Sequence, residues 1–151
     1  MIVKEQRGDI FLTDCQTLTC PINVVGTMGN GLARAFRDRI PGLNAYYQSQ
    51  YPPHSPEFER RANDLRLFPI SSEKQVLLFP TKIHWQNPSP LKLVQANLSQ
   101  IEESFERLGI RSLAVPALGC GKGGLSYEQD VRPLFYRFLS PLPIPVEVLF
   151  W

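Results

Sequence analysis

Val115-Pro-Ala-Leu-Gly-Cys-Gly-Lys-Gly-Gly-Leu125 lies between a short apolar run, Ser112-Leu-Ala-Val115, and a segment with helical character from Tyr127 to Leu139. The order strand, glycine loop, helix is informative because glycine lacks a Cβ, so its backbone enters positive φ and approaches a ligand closely. Successive N–H groups can then face one concavity, and a helix N-terminus adds partial positive charge there. That arrangement favours phosphate. Glycine turns also occur with no ligand, so this stretch alone leaves a phosphate cradle and an empty turn both open. Gly119-Cys-Gly-Lys-Gly-Gly124 matches the G-x-G-x-x-G dinucleotide pattern formally. Its place near the C-terminus argues against a Rossmann fold, where the pattern opens the first βα turn.

Outward from that loop the chain alternates strands and helices. Met1–Glu5 reads as an edge strand and Arg7–Ile10 as a turn. Thr17 to about Val24 reads as a strand interrupted near Pro21. A second glycine loop, Gly26-Thr-Met-Gly-Asn-Gly31, opens a helix over Leu32–Arg39 that Pro41-Gly42 stops. Leu43–Tyr51 is a second short helix, and Pro52–Asp64 reads as a surface loop. Leu65–Ile70 and Gln75–Pro80 are strands around a turn at Ser71–Lys74, and Thr81–Ser89 is a loop carrying Lys82, His84 and Trp85. Ser89 and Pro90 look like the cap and first residue of a helix. Its apolar face is Leu91, Val94, Leu98, Ile101, Phe105 and Leu108, and Gly109 ends it. Ile110–Val115 and Val146–Trp151 are the last strands. The pattern predicts one domain over 1–151, a three-layer α/β/α fold with a mixed, largely parallel central sheet. Both glycine loops then sit at the carboxyl ends of strands, where they can grip two phosphates of one ligand.

Composition narrows the class. Hydrophobic residues make up 43% and charged residues 20%, with a net charge of +2. These values fit a soluble globule and do not single out nucleic acid. Cys15, Cys20 and Cys120 are scattered and odd in number, which fits reduced thiols in a cytoplasm better than a disulfide framework. No apolar run reaches the ~18 residues of a membrane span. The cysteines with His54 and His84 show no metal-ligand spacing, so neither metal nor cofactor is expected. Lys82 is either a solvated surface charge or an amine desolvated at a strand end, whose lowered pKa frees it as nucleophile or base. Asn23 is either a cap or a ligand contact.

Four segments together are similar to one family. Gly8-Asp-Ile10, Asn23-Val-Val-Gly-Thr-Met-Gly-Asn-Gly31, Pro80-Thr-Lys-Ile-His-Trp85 and Pro116-Ala-Leu-Gly-Cys-Gly-Lys-Gly-Gly-Leu125 resemble a macrodomain. Within that family they most resemble the DNA ADP-ribosyl glycohydrolase of DarT/DarG toxin–antitoxin pairs. The resemblance runs in order along essentially the whole chain, and the Pro-Thr-Lys stretch narrows the subfamily. It implies an ADP-ribose cleft in which Asp9 accepts from the adenine amino group beside the Ile10 backbone. Gly26, Thr27, Met28, Gly29 and Gly31 of the first loop would hold diphosphate and distal ribose together with Pro116, Leu118, Gly119, Cys120, Gly121, Lys122, Gly123, Gly124 and Leu125 of the second. Asn23 would hydrogen-bond near that ribose, and Lys82 would be the catalytic residue.

The implied substrate is thymidine in single-stranded DNA carrying ADP-ribose on its base, and the implied role is reversal of the toxin. A DarT-like toxin is then an expected partner, and a monomer the expected state. Lys82 would act either at the anomeric carbon or by acid–base work on the opened sugar. His84 and Trp85 would contact the nucleobase or DNA, or Trp85 would simply pack. Arg34 and Arg37 would track the DNA backbone or form a solvated helix face. A related eukaryotic group that cleaves glutamate-linked ADP-ribose pairs the lysine with an aspartate in the second loop. Here that position is Gly123, which points to the DNA-directed group and leaves the proton donor unassigned. A non-catalytic ADP-ribose reader and a glutamate-directed hydrolase are the competing expectations. Antitoxin-type members usually carry a further C-terminal region, so these 151 residues are expected to be either an isolated macrodomain or a stand-alone form.

Overall fold

The computed structural model describes residues 1–151. Six strands form one sheet: β1 (Ile2–Arg7), β2 (Thr17–Asn23), β3 (Arg66–Pro69), β4 (Gln75–Lys82), β5 (Leu113–Val115) and β6 (Val146–Phe150). Their spatial order is β1-β6-β5-β2-β4-β3. Every neighbouring pair is parallel except β3 with β4. Helices α1 (Gly31–Arg39), α2 (Leu43–Gln50), α3 (Leu91–Ser104) and α4 (Arg132–Phe138) cover its two faces. The mixed, mostly parallel sheet and its flanking helices are as expected from the alternation of elements.

Strand side chains alternate between two cores. Val76 and Leu78 of β4 pack with Leu18, Cys20 and Ile22 of β2 under α1 and α2, through Phe36, Leu43 and Tyr47. Leu77 and Phe79 point the other way, onto Val94, Leu98 and Ile101 of α3 and Phe135 and Phe138 of α4. A strand buried on both faces reads as a continuous apolar run, as Val76–Phe79 does.

Several element boundaries differ from expectation. β2 runs unbroken through Pro21, because its pairing with β5 ends at Leu18 and only the β4 side continues. A proline removes a ladder donor, and this half-open stretch of strand tolerates the loss. β4 extends to Lys82, so Thr81 and Lys82 belong to a strand and not to a loop. Pro52–Asp64 contains a 3-10 turn at Phe58–Asn63 with Ala62 buried. Ser89 caps nothing: Pro90 holds the N-cap position of α3 without a side-chain bond. The Tyr127 helix begins as a π-turn, Tyr127–Val131, before α4 proper, and here Ser126 does cap, accepting from Gln129 N.

Asn97 ties these pieces to the end of β4. It is fully buried in α3, and its Nδ2 donates to Ala62 O and Pro80 O, both at 2.9 Å. Asn97→Ala strands two buried carbonyls, an expected cost of about 2–3 kcal/mol. Thermal unfolding should show a melting temperature lower by about 4–12 °C.

Candidate active site

Because β2, β4, β5 and β6 are parallel, their carboxyl ends come out at one edge of the sheet. A cleft of about 490 Å³ opens there. Its walls are Pro21–Asn23 from β2, Gly29–Ala33 at the start of α1, and Thr81, Lys82 and Trp85 at the end of β4. Ser89, part of the loop from Pro116 to Gly123, and Phe150 with Trp151 complete it.

One irregularity sets the local geometry. Ile22 pairs with Pro80, but the next residue, Asn23, pairs with Lys82, so β4 carries one extra residue, Thr81. This bulge puts Asn23 and Lys82 side by side on neighbouring strands. Both line the cleft. The Asn23 side chain is largely committed to its own loop. Its Nδ2 donates to Thr27 O at 2.7 Å, and its Oδ1 accepts from Val25 N at 3.1 Å and Thr27 N at 3.4 Å. The hydroxyl of the fully buried Tyr47 lies 2.7 Å from both Asn23 O and Oδ1. Burial drives the Tyr47 ionisation far up, so it remains a neutral donor. Asn23 therefore closes the first glycine loop, and one amide hydrogen is left for a ligand.

Lys82 is half-buried, and its Nζ donates to Trp85 O at 3.2 Å. Burial, and then the positive charge of Lys122, lower its pKa. Neither lysine belongs to any ion pair of the structure. No Asp or Glu lines the cleft. At the other wall, Asn30 precedes α1 without a side-chain cap bond. The N–H groups of Gly31, Leu32 and Ala33 thus have no intrahelical acceptor, and all three residues line the cleft. With the helix dipole they make an end whose unsatisfied donors and partial positive charge suit an anion.

The second loop is held tightly. Leu125 N donates to Gly119 O at 3.0 Å, and Ser89 N donates to Gly123 O at 2.9 Å. A Cβ on Gly123 would meet Gly119 O at 2.3 Å and Ser89 Oγ at 2.4 Å, and one on Gly119, at φ +76°, would meet Leu125 Cδ1 at 2.8 Å. Only glycine fits at either position, and an aspartate at 123 has no room. The Ser89 hydroxyl is buried and has no partner. Cys120 is half-buried with Sγ 3.5 Å from Leu118 O, and burial followed by the charge of Asp130 pushes its thiol up to about 11. It stays protonated at neutral pH and is no nucleophile.

The structure gathers most, though not all, of the residues singled out in the sequence. Asn23, Thr27, Gly29, Gly31, Lys82, Trp85, Pro116, Gly119, Cys120, Gly121, Lys122 and Gly123 line the cleft. The side chains of Ile10, Met28 and Leu118 are buried in the core. Gly26 packs against Pro53, and Gly124 and Leu125 close the second loop from behind. His84 stacks on Trp85 with ring centroids 5.7 Å apart but lines a separate hollow with Phe58 and Ile83.

Asp9 Oδ1 accepts from Phe11 N at 2.9 Å, and its Oδ2 faces Arg39 at 3.4 Å. It lies beyond the cleft wall, next to an aromatic group that sequence reading overlooked. Trp151 meets Phe11 edge-on at 5.9 Å, and the Arg39 guanidinium sits over the Phe11 ring at 4.6 Å. The signal was present: a parallel last strand ending in Phe150-Trp151 must deliver both to this edge. Ser89 and Asn30 gave no comparable signal. No three His, Cys, Asp or Glu side chains gather as a metal site.

The sequence profile of the Macro domain family matches residues 20–133. The chain is 39% identical over 156 aligned positions to a DNA ADP-ribosyl transferase–DNA ADP-ribosyl glycohydrolase fusion protein of Thermosipho africanus, spanning 94% of this chain and 40% of that protein. It is 32% identical to a DNA ADP-ribosyl glycohydrolase of Mycobacterium tuberculosis, spanning 90% of this chain and 38% of that protein. The chain thus covers about two fifths of the length of these relatives. Among solved structures, the macrodomain of Mycobacterium tuberculosis DarG superposes with a TM-score of 0.84 at 31% identity, covering 99% of this chain and 97% of that one. Thermosipho africanus DarTG in complex with ADP-ribose superposes at 0.82 with 35% identity, covering 95% of this chain and 40% of that one.

The two glycine positions that differ most in surroundings give a direct check. Gly123→Ala should cost about 1–3 kcal/mol, since a backbone oxygen must move. Gly121→Ala, whose Cβ meets nothing within 4 Å, should stay within about 0.5 kcal/mol of the parent. Denaturant unfolding of both variants reads the difference.

Proposed function

This chain belongs to the macro domain family, and on that footing we propose that it is a DNA ADP-ribosyl glycohydrolase, releasing ADP-ribose from thymidine bases of single-stranded DNA. The observation that carries the reading is Lys82: a half-buried amine with no carboxylate partner, beside Asn23, in a cleft that contains no acid. The cleft volume lies within the ~300–1,000 Å³ typical of ligand sites. The free N–H groups of Gly31–Ala33 and the backbone of the 119–123 loop suit a diphosphate. Phe150, Trp151 and Phe11, with Arg39 and Asp9 beside them, suit a flat adenine at the far end. The distal ribose then lies towards Lys82.

Burial and the Lys122 charge favour the uncharged form of the Lys82 amine. That form can attack the anomeric carbon or accept a proton, and it cannot act as a proton donor. Attack at carbon forms the bond from Nζ to the anomeric carbon and breaks the bond to the thymine nitrogen, which takes up the proton that the now alkylated, positively charged Nζ gives up. Water then releases the sugar and regenerates the amine. Trp85, 43% exposed at the cleft mouth, is placed to stack on the base, an interaction worth ~1–3 kcal/mol on single strands. A lysine–aspartate pair of the glutamate-directed kind lacks its acid, because Gly123 cannot carry one. On this reading the protein works as a cytoplasmic monomer and opposes a DarT-like toxin, the activity to which the glycohydrolase is fused in the Thermosipho africanus relative.

The test is a single-stranded oligonucleotide bearing ADP-ribosyl-thymidine, followed by mass spectrometry. The parent protein should restore the plain oligonucleotide, and Lys82→Ala should do so about 10²–10⁴-fold more slowly. If both proteins bind ADP-ribose and neither releases it from DNA, the chain is a reader. Release from glutamate-modified protein alone would make it protein-directed.

A further inference from the structure

Lys82 and Lys122 reach the cleft from opposite sides of one strand. Lys82 ends β4, Lys122 sits in the loop that follows β5, and β2 runs between the two. The other titratable side chain in the lining is Cys120, whose thiol is protonated. From β2 the facing group is the neutral amide of Asn23. From α1 no charged side chain lines the cleft: Arg34 and Arg37 are paired with Asp38, and Arg39 with Asp9. On the loop after β4, His84 turns to the neighbouring hollow, where its Nδ1 accepts from Gln86 N at 3.2 Å. Asp130, the acid behind the second loop, accepts from Ser126 N at 2.8 Å. Lys82 thus faces one charged side chain in the cleft, and that charge has its own sign.

We propose that Lys122 is a positioning residue for the reaction at Lys82: its side chain belongs to no ion pair, shares with Lys82 a cleft lined by no Asp or Glu, and disposes the Lys82 amine to react. Two like charges facing a region of reduced dielectric disfavour double protonation, and the more buried group is the one to yield. Lys122 is exposed and Lys82 is half-buried, so the effect falls on Lys82, whose proton affinity is lowered by burial first and by the Lys122 charge second. A neighbouring carboxylate would have the opposite effect, holding Lys82 as an ammonium, which accounts for a second loop without acidic side chains. The consequence for catalysis rests on the glycohydrolase reading, but the charge coupling does not.

The sign is fixed. Removing the Lys122 charge must raise the titration midpoint of Lys82, so the reactive form appears only at higher pH. The experiment is a pH titration of the full chain labelled with ¹³Cε-lysine, with the Lys82 signal assigned by its absence in Lys82→Arg. In the parent, Lys82 should titrate below the exposed lysines. Its midpoint should rise in Lys122→Gln, rise further in Lys122→Glu, and stay in place in Lys122→Arg. Because Lys122 is exposed, these substitutions leave the core intact. In parallel, the acidic limb of the pH–rate profile on the modified oligonucleotide should move to higher pH in Lys122→Gln, whatever happens to KM. A Lys82 midpoint identical in parent and Lys122→Gln overturns the proposal, as does weaker ADP-ribose binding with no change of midpoint, which would make Lys122 a simple phosphate contact. If the parent releases nothing from DNA, the glycohydrolase reading fails while the titration still decides the role of Lys122.

Discussion

The parallel ladder between β2 and β4 is the constraint on which the site depends. It pairs Thr17–Asn23 with Gln75–Lys82 and slips by one residue at its last step. Without that slip, alternation along the strands would separate the side chains of Asn23 and Lys82, since each residue added to a strand reverses the face. Tyr47 and Asn97 brace the end of the ladder from the two sides of the sheet. Tyr47 binds Asn23 from α2, and Asn97 binds the carbonyl of Pro80 from α3. A buried hydrogen bond left half-made is costly, so each brace fixes backbone position as well as stability. The two helical layers therefore determine where a lysine at the sheet edge stands.

Electrostatics follows from the same edge. Parallel strands deliver helix N-termini and strand carboxyl ends to one side of the sheet, which gathers unpaired N–H groups around the cleft. The lining adds two lysines and no carboxylates. Such a cleft is incomplete without an anion. On the proposed reading a diphosphate would meet that need; the Lys82 amine is held by the neutral carbonyl of Trp85 and belongs to no ion pair. The lowered proton affinity of Lys82 comes from burial first and the Lys122 charge second, and no carboxylate in the lining opposes it.

The alternation of elements, the two glycine loops and the carboxyl-end site were legible in the sequence because each follows from local rules: buried strands, glycine turns and the 3.6-residue period of α3. The failures have physical causes too. Thr81 and Lys82 looked like a loop because a bulge leaves no trace in hydrophobic periodicity. Pro21 looked like a break because the loss of the β5 neighbour depends on where a different strand ends. Ser89-Pro90 has the composition of a cap, but Ser89 is instead packed against Gly119 and Gly123, a contact between distant segments. The side chains of Ile10, Met28 and Leu118 are buried in the core, a placement that tertiary packing and not local sequence decides. Asp9 stands near an aromatic group, Phe11 with Trp151, whose assembly depends on where the final strand ends and leaves no local pattern.

The central claim is that diphosphate at the start of α1 presents the distal ribose to Lys82. A crystal structure of Lys82→Arg with ADP-ribose bound tests it most directly. The account predicts phosphate oxygens within hydrogen-bonding distance of the Gly31–Ala33 amides, adenine against Phe150 and Trp151, and the anomeric carbon next to residue 82. A ligand whose distal ribose points away from residue 82, or whose diphosphate lies outside the two glycine loops, would contradict it.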